Sequence, residues 1–235
     1  MRPFHQTPTH PASVITTHHH NPTSFTQGLI VSESGTSFYE STGGYGQSKI
    51  LETDITSGQI LQSRNLEPSY FGEGLTFFRG KLIQLTWQEG TLFSYDRRLS
   101  VISEDQWPRD GWGLTTDGVQ LISSDGSDTL YFGEGVNIRK LPIKSWKNGR
   151  LTPIANLNEL EWVRGLIYAN VWLSPLIAVI DPVTGIVVKW IDLSSLVRVE
   201  KTVDDMVANG IAFDKVRGKL YVTGKWWKRV YEIEL

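Results

Sequence analysis

Cysteine is absent from the 235-residue chain. Its absence excludes disulfide staples, thiolate nucleophiles and cysteine-ligated metals, but leaves the compartment open, because a domain of this size has core enough without staples. Histidine is confined to the first twenty positions, at His5, His10, His18, His19 and His20. From residue 21 onward any general acid or base must then be a carboxylate, a tyrosine or a lysine. A His-containing triad and a His-rich catalytic zinc site are both unexpected. The run His18-His19-His20 reads as a polar lead into the first strand. No apolar run reaches the ~18 residues of a membrane span, and no basic-then-apolar leader stands at the start. Neither a signal peptide nor a membrane partner is read, and secretion would require a leader already removed. Net charge is -2 with 20% charged residues, which gives no basic face for nucleic acid.

Helical periodicity is also scarce, with only a short piece near Leu193-Ser194-Ser195-Leu196 inviting a helix. The chain is instead filled with short β-rich runs broken by Gly, Asp, Ser and Asn turns. Self-similarity organises these runs. FTQGLIV, FGEGLTF, GWGLTTD, LNELEWV and ANGIAFD share a kernel of a polar or aromatic residue, a small or acidic one, then an aliphatic one. Anchored at Gly28, Gly74, Gly113, Glu159 and Gly210, the modules are spaced by 46, 39, 46 and 51 residues. About twelve residues after each anchor comes a second signal, YESTGG, QLTWQEG, ISSDGS, YANVW or YVTGKWW, which reads as a strand ending in a polar or Trp-bearing turn. Outer-strand segments such as SKILETD, GTLFSYD and LIAVIDPVTG follow.

Five four-stranded antiparallel sheets arranged radially make an all-β, five-bladed β-propeller. Residues 13–235 are expected to form this single domain, with 1–12 as a flexible N-terminal extension. The segment Ser13 to Thr17 is expected to pair with the terminal VYEIEL strand and close the ring, which protects an edge.

The pentapeptide YFGEG occurs twice, and the repeat separates the two copies. Glu73 immediately precedes an anchor, in the slot shared by Gln27, Trp112, Asn158 and Asn209, which in a propeller faces the mouth of the central channel. Glu134 lies in the outer half of its module and reads as part of a solvated turn. Phe71, Trp87, Trp112 and Trp172 are placed around Glu73, and large aromatics beside a carboxyl raise its pKa from ~4.3 toward the range useful for general acid/base work.

Other tryptophans, Trp162 and Trp190 among the nine, read as wedges between blades. Lys225, at the end of the fifth second-turn strand, is either a solvated turn lysine or a cation that reaches the mouth and polarises a carbonyl. Asp125 in SSDGS offers a second carboxylate at the mouth, although its local sequence favours an Asx-type turn. The glycines of STGGYG lack phosphate-loop and dinucleotide spacing and suit a tight turn at Gly43-Gly44. No calcium-loop spacing is present, so neither a metal nor another cofactor is expected.

Taken in order, FTQGL, YESTGGYGQS, FGEGLTF, QLTW, GWGLTTDG, SDGS, LNELEWV, YANVW, NGIAFD and VTGKWW resemble the successive signatures of the glutaminyl-peptide cyclotransferases of plant and bacterial type. The resemblance covers about residues 20 to 235. It implies a metal-independent five-bladed propeller, expected to be monomeric, that acts on peptides or proteins with N-terminal glutamine, forming pyroglutamate and releasing ammonia. It also implies that Glu73 is the general acid/base and that Phe25, Gln27, Phe71, Trp87, Trp112, Asn158, Trp172 and Lys225 line the substrate pocket. The chain departs from the family pattern at Asn21, where Asp is usual, at Asp110, where Glu is usual, and at the second YFGEG, where an Asp-Pro turn is typical. Two rivals remain in view: a lactonase-like hydrolase with a metal held by carboxylates and Asn at the mouth, and a propeller that binds peptides without turning them over.

Overall fold

The computed structural model describes residues 6–235. Two short strands, β1 (Thr9–Pro11) and β2 (Val14–His19), precede the first blade. Blade one is β3 (Thr26–Val31), β4 (Ser37–Thr42), β5 (Lys49–Asp54) and β6 (Ile60–Asn65). Blade two is β7 (Gly72–Phe78), β8 (Lys81–Thr86), β9 (Thr91–Tyr95) and β10 (Val101–Gln106). Blade three is shorter, with β11 (Leu114–Thr116), β12 (Leu121–Ser123), β13 (Thr129–Phe132) and β14 (Arg139–Pro142), and is followed by a hairpin of β15 (Lys144–Lys147) and β16 (Arg150–Pro153). Blade four is β17 (Leu157–Val163), β18 (Leu166–Val171), β19 (Leu176–Ile180) and β20 (Val187–Asp192). The helix α1 (Ser194–Glu200) leads into blade five, made of β21 (Ala208–Asp214), β22 (Lys219–Gly224) and β23 (Arg229–Ile233) with β2 as its outermost strand. Together these blades form the five-bladed β-propeller. Among the described residues the single helix falls where the Leu193–Leu196 segment invited one.

Composition tracks distance from the axis. Inner and middle strands such as β4 (SFYEST) are buried along their whole length, whereas the outer strands β6 (ILQSRN) and β10 (VISEDQ) are largely exposed. This gradient follows from blades packing face to face, so that only the outer strand of each reaches solvent. The core is accordingly five clusters, one in each seam. Ile30, Tyr39, Leu75 and Tyr95 pack between blades one and two, and Leu85, Trp107 and Leu121 between two and three. Ile122, Leu160 and Ile180 fill the next seam, where Trp162 and Trp190 pack as the expected wedges. Trp227, fully buried, packs with Tyr168 and the helix residue Leu196 between blades four and five. Leu29, Phe38 and Tyr221 join blade five to blade one.

The ring closes as the repeat requires, with β2 pairing antiparallel to β23 from Val14↔Ile233 to His19↔Arg229. Two expectations need correction. The extension assigned to residues 1–12 does not stand apart from the propeller: β1 adds a fifth strand to blade four, parallel to β20 (Thr9↔Trp190), and the Thr7 hydroxyl accepts from the Trp146 amide at 3.0 Å. Backbone groups on the outer edge of β20 supply the partners that hold it. Residues 1–5 of that extension, His5 included, lie outside the described residues. Histidine is also not confined to a polar lead. His20 is buried at the end of β2, 3.0 Å from Glu40 Oε1 and 2.7 Å from the Trp227 carbonyl. Burial works against the charged imidazole, but the Glu40 carboxylate outweighs it and holds the His20 pKa above its ordinary value.

The axis is closed by glycine and by one glutamate. A Cβ on Gly28 would lie 2.6 Å from the Leu75 amide nitrogen, on Gly74 2.5 Å from that of Leu114, and on Gly113 1.9 Å from the Asn158 carbonyl oxygen. Each of these three glycines thus lets one inner strand touch the backbone of the next. In blade four the anchor is Glu159. Its carboxyl fills the channel, accepting from the Ile211 amide at 2.9 Å in blade five and from the Leu29 amide at 3.3 Å in blade one. Removing that acceptor by Glu159→Ala leaves two buried backbone donors unpaired. The expected cost in denaturant unfolding is about 2 to 4 kcal/mol, and less for Glu159→Gln, which keeps one carbonyl acceptor. Wild-type stability in both variants would show that the axis does not depend on this side chain.

Candidate active site

Each blade delivers two positions to one end of the channel: the start of its innermost strand and the end of its second strand. At the inner strands the pairing slips by a residue, between Thr26 and Gly28, Gly72 and Leu75, Leu157 and Leu160, and Ala208 and Ile211. These β-bulges re-aim the residues within them, and those residues include Gln27, Glu73, Asn158 and Asn209. Trp112 reaches the same place from just before β11. The second strands β8, β18 and β22 end immediately before Trp87, Trp172 and Lys225.

A cavity of about 290 Å³ opens at this mouth, lined by Phe25, Gln27, Phe71, Glu73, Trp87, Trp112, Asn158, Trp172, Asp205 and Lys225. Nine of these ten were singled out from sequence. Asp125 was also singled out, but it lies outside this lining: its Oδ1 accepts from the Ser127 amide at 3.0 Å in an Asx turn. That turn acts at one remove, since Gly126 beside it lies so close to Trp112 that a Cβ there would be 2.7 Å from the indole. Glu134 sits in the exposed turn between β13 and β14, 3.9 Å from Arg79. Asp205 is the lining residue that sequence reasoning missed. It belongs to no repeat slot and comes from the segment joining α1 to β21.

The walls are aromatic. Phe71 meets Phe25 edge-on at 6.1 Å between ring centres and Trp87 at 5.6 Å, Phe25 lies 4.7 Å from Trp226, and Trp112 meets Trp172 at 5.8 Å. These contacts, edge-to-face except for the tilted Phe25–Trp226 pair, fix ring positions as well as burying area. Gly43 makes room for one of them, because a Cβ there would stand 2.2 Å from the Phe71 ring.

At the base, Glu73 is 4% exposed and its Oε1 accepts from the Gln27 amide nitrogen at 2.8 Å. Gln27 Oε1 in turn accepts from Asn209 Nδ2 at 3.1 Å, and the same nitrogen donates to the Thr26 carbonyl at 2.9 Å. This chain fixes which end of the Gln27 amide faces the carboxylate. Burial pushes the Glu73 pKa well above the usual carboxylate range. Lys225 pulls it back, while Glu89 and Asp110 add to the rise. Lys225 is itself buried, with its ammonium 4.2 Å over the Phe25 ring. Burial lowers its pKa, against the opposing pull of Glu73 and Asp205. Asn158 Oδ1 is buried with no hydrogen-bond partner among the described residues, which leaves an acceptor for an incoming N–H.

A larger depression, about 430 Å³, lies elsewhere and is lined by Thr115, Glu161, Phe77 and Phe213 among others. Burial pushes the Glu161 pKa to about 8, but its oxygens are taken by the Phe213 amide at 2.9 Å and the Thr115 hydroxyl at 3.3 Å. Among the described residues, no group of three or more His, Asp or Glu is placed to hold a metal ion.

A propeller with an aromatic pocket built over a buried carboxyl, an amide donor and a buried lysine is equipped for proton transfer to and from a small polar group. Comparison with known proteins makes the class specific. The family model for glutamine cyclotransferase matches residues 2–235. A glutaminyl-peptide cyclotransferase of Arabidopsis thaliana is 40% identical over 224 residues, covering 92% of this chain and 68% of that protein. The crystal structure of Myxococcus xanthus glutaminyl cyclase superposes with a TM-score of 0.88 at 35% identity over 97% of both chains. Virginiamycin B lyase from Staphylococcus aureus shares the fold alone, at a TM-score of 0.52 and 14% identity over 92% of this chain and 68% of that one. The chain belongs to the glutamine cyclotransferase family, and so to the glutaminyl cyclase enzymes.

The packing of Gly43 on Phe71 gives a direct check on how the walls are held. Gly43→Ala is expected to push the Phe71 ring away from Phe25 and Trp87, altering the near-UV circular dichroism of the cluster while the far-UV spectrum keeps its β form. An unaltered near-UV spectrum would mean that the ring does not depend on that space.

Proposed function

We propose that the protein converts the N-terminal glutamine of peptides or proteins to pyroglutamate, releases ammonia, and uses Glu73 as its single general acid/base without a metal. The observation that carries this reading is the buried Glu73 carboxyl, raised in pKa and hydrogen-bonded to Gln27 within an aromatic pocket. A carboxyl in that state suits both proton transfers, since its pKa is closer than an ordinary glutamate's to that of an α-amine, ~7.7.

The substrate's glutamine side chain enters between the tryptophans, which hold its amide carbon against its own α-amine and lower the entropic barrier to ring closure. The neutral amine nitrogen attacks the side-chain amide carbon, forming the new C–N bond of a five-membered lactam and a tetrahedral oxyanion. Glu73, as carboxylate, takes a proton from the attacking nitrogen. Lys225, whose ammonium makes no hydrogen bond or ion pair among the described residues, stabilises the oxyanion. As the carbonyl re-forms, the original C–N bond breaks and Glu73 returns its proton to the departing nitrogen, which leaves as ammonia and not as an unattainable amide anion. Asn158 Oδ1 accepts from a substrate N–H, and Gln27 keeps Glu73 aimed at the reacting nitrogens.

Ammonia release from Gln-Phe-Ala at neutral pH tests this reading. Release that persists in EDTA, is absent with Asn-Phe-Ala (which would have to close a strained four-membered ring), and falls by about 10² to 10⁴ in Glu73→Gln is the expected result. Near wild-type turnover by Glu73→Gln would remove Glu73 from the chemistry. Loss of turnover in EDTA, restored by added metal, would place a metal in the reaction. No release from any N-terminal glutamine peptide would leave a pocket that binds without catalysis.

A further inference from the structure

The cavity is lined by two carboxyls, and the second has no part in the chemistry above. Asp205 is exposed at the mouth, on the segment that follows α1 and precedes β21. The local structure holds it there. Met206 next to it is buried at 4%, its sulfur accepts from the Thr202 amide and hydroxyl at 3.3 and 3.1 Å, and the Val207 carbonyl accepts from the Lys225 amide at 2.9 Å. The neighbouring Asp204 is paired with Lys201 at 3.2 Å. The Asp205 carboxylate, by contrast, makes no hydrogen bond or ion pair among the described residues. An acidic group that faces a binding cavity without an ion pair, and that feels the buried Lys225 only through space, is available to a cation that arrives with the substrate.

The surroundings of the mouth carry the same sign. Glu89, whose oxygens accept from the Tyr45 hydroxyl at 2.7 Å and the Phe71 amide at 3.3 Å, and Asp110, beside Gly111-Trp112, both act electrostatically on the pocket. None of the nearby cations forms an ion pair with Asp205 among the described residues. Lys225 lies buried below the mouth, Lys201 is held by Asp204, and Arg109 stacks 4.5 Å over Trp107 and 5.0 Å over Tyr131. On the cyclotransferase reading, a peptide whose glutamine fills the cavity would bring its second residue to this rim.

We propose that Asp205 reads the residue following the N-terminal glutamine and favours a basic side chain there over an acidic one. The proposal rests on the cyclotransferase reading of the pocket and adds a substrate preference to it. Because Asp205 is exposed, the preference is modest, sensitive to salt, and expressed chiefly in kcat/KM.

The test compares kcat/KM for ammonia release from Gln-Lys-Ala, Gln-Phe-Ala and Gln-Glu-Ala, in wild type and in Asp205→Asn and Asp205→Lys. Wild type is expected to prefer the lysine peptide over the glutamate peptide by about five-fold at low ionic strength. The ratio should collapse toward one in Asp205→Asn, reverse in Asp205→Lys, and shrink in ~0.5 M salt. An unchanged ratio in both variants would overturn the proposal while leaving the cyclotransferase reading intact. So would an equal loss on all three peptides, which would instead assign Asp205 to the shared glutamine or its amine. Absence of turnover of every peptide by wild type would overturn both.

Discussion

The close approach of the five inner strands around the axis is the constraint on which the rest of the molecule depends. Three anchor glycines allow one strand to touch the backbone of the next where no Cβ fits, and Glu159 spans what is left of the channel to reach blades five and one. Four of these strands are bulged beside their anchors, and the bulges turn Gln27, Glu73, Asn158 and Asn209 toward one end. The packing that closes the ring and the aim of the site's polar groups therefore have a common origin.

The site opposes the ordinary drive of folding. Glu73 and Lys225 are both buried, yet no ion pair within 4 Å joins them, so each keeps part of its desolvation penalty. That penalty shifts their pKa values toward one another, and in the proposed mechanism it suits Glu73 to exchange protons with a substrate. The surrounding frame must offset it. Five apolar seams do so, together with ring closure by β2 and the buried network in which Glu40 accepts from the Ser24 hydroxyl at 3.1 Å and the Thr26 hydroxyl at 2.7 Å while meeting His20. Since Phe25 and Gln27 belong to the segment those hydroxyls hold, the closing network also fixes two walls of the pocket.

Much of this was legible because a bulge followed by an obligatory glycine leaves a mark in sequence. The slot before the anchor is a position, so it separated Glu73 from Glu134 although both stand in the same pentapeptide. Periodicity likewise exposed the closing strand β2 and the turns that bear Trp87, Trp172 and Lys225. What escaped the reading has no period. Asp205 sits on an insertion between blades, and β1 is held mainly by backbone pairing to an open edge, which few side chains announce. His20 appeared to be one of a polar run, because the carboxylate that draws it inward lies twenty residues away. Asp125 occupies the correct strand end, but its carboxylate is taken up outside the cavity, by its own turn and by the Tyr131 hydroxyl.

The central claim is that burial gives Glu73 the affinity for protons that the reaction needs. A ¹³C NMR titration of labelled glutamate side chains, with the Glu73 signal assigned by its disappearance in Glu73→Gln, measures this directly in the free enzyme. A Glu73 carboxyl that takes up its proton well above the usual carboxylate range is the predicted result. Titration in the ordinary range near ~4.3 would contradict the account, because the group would then be too weak a base to serve both halves of the cycle.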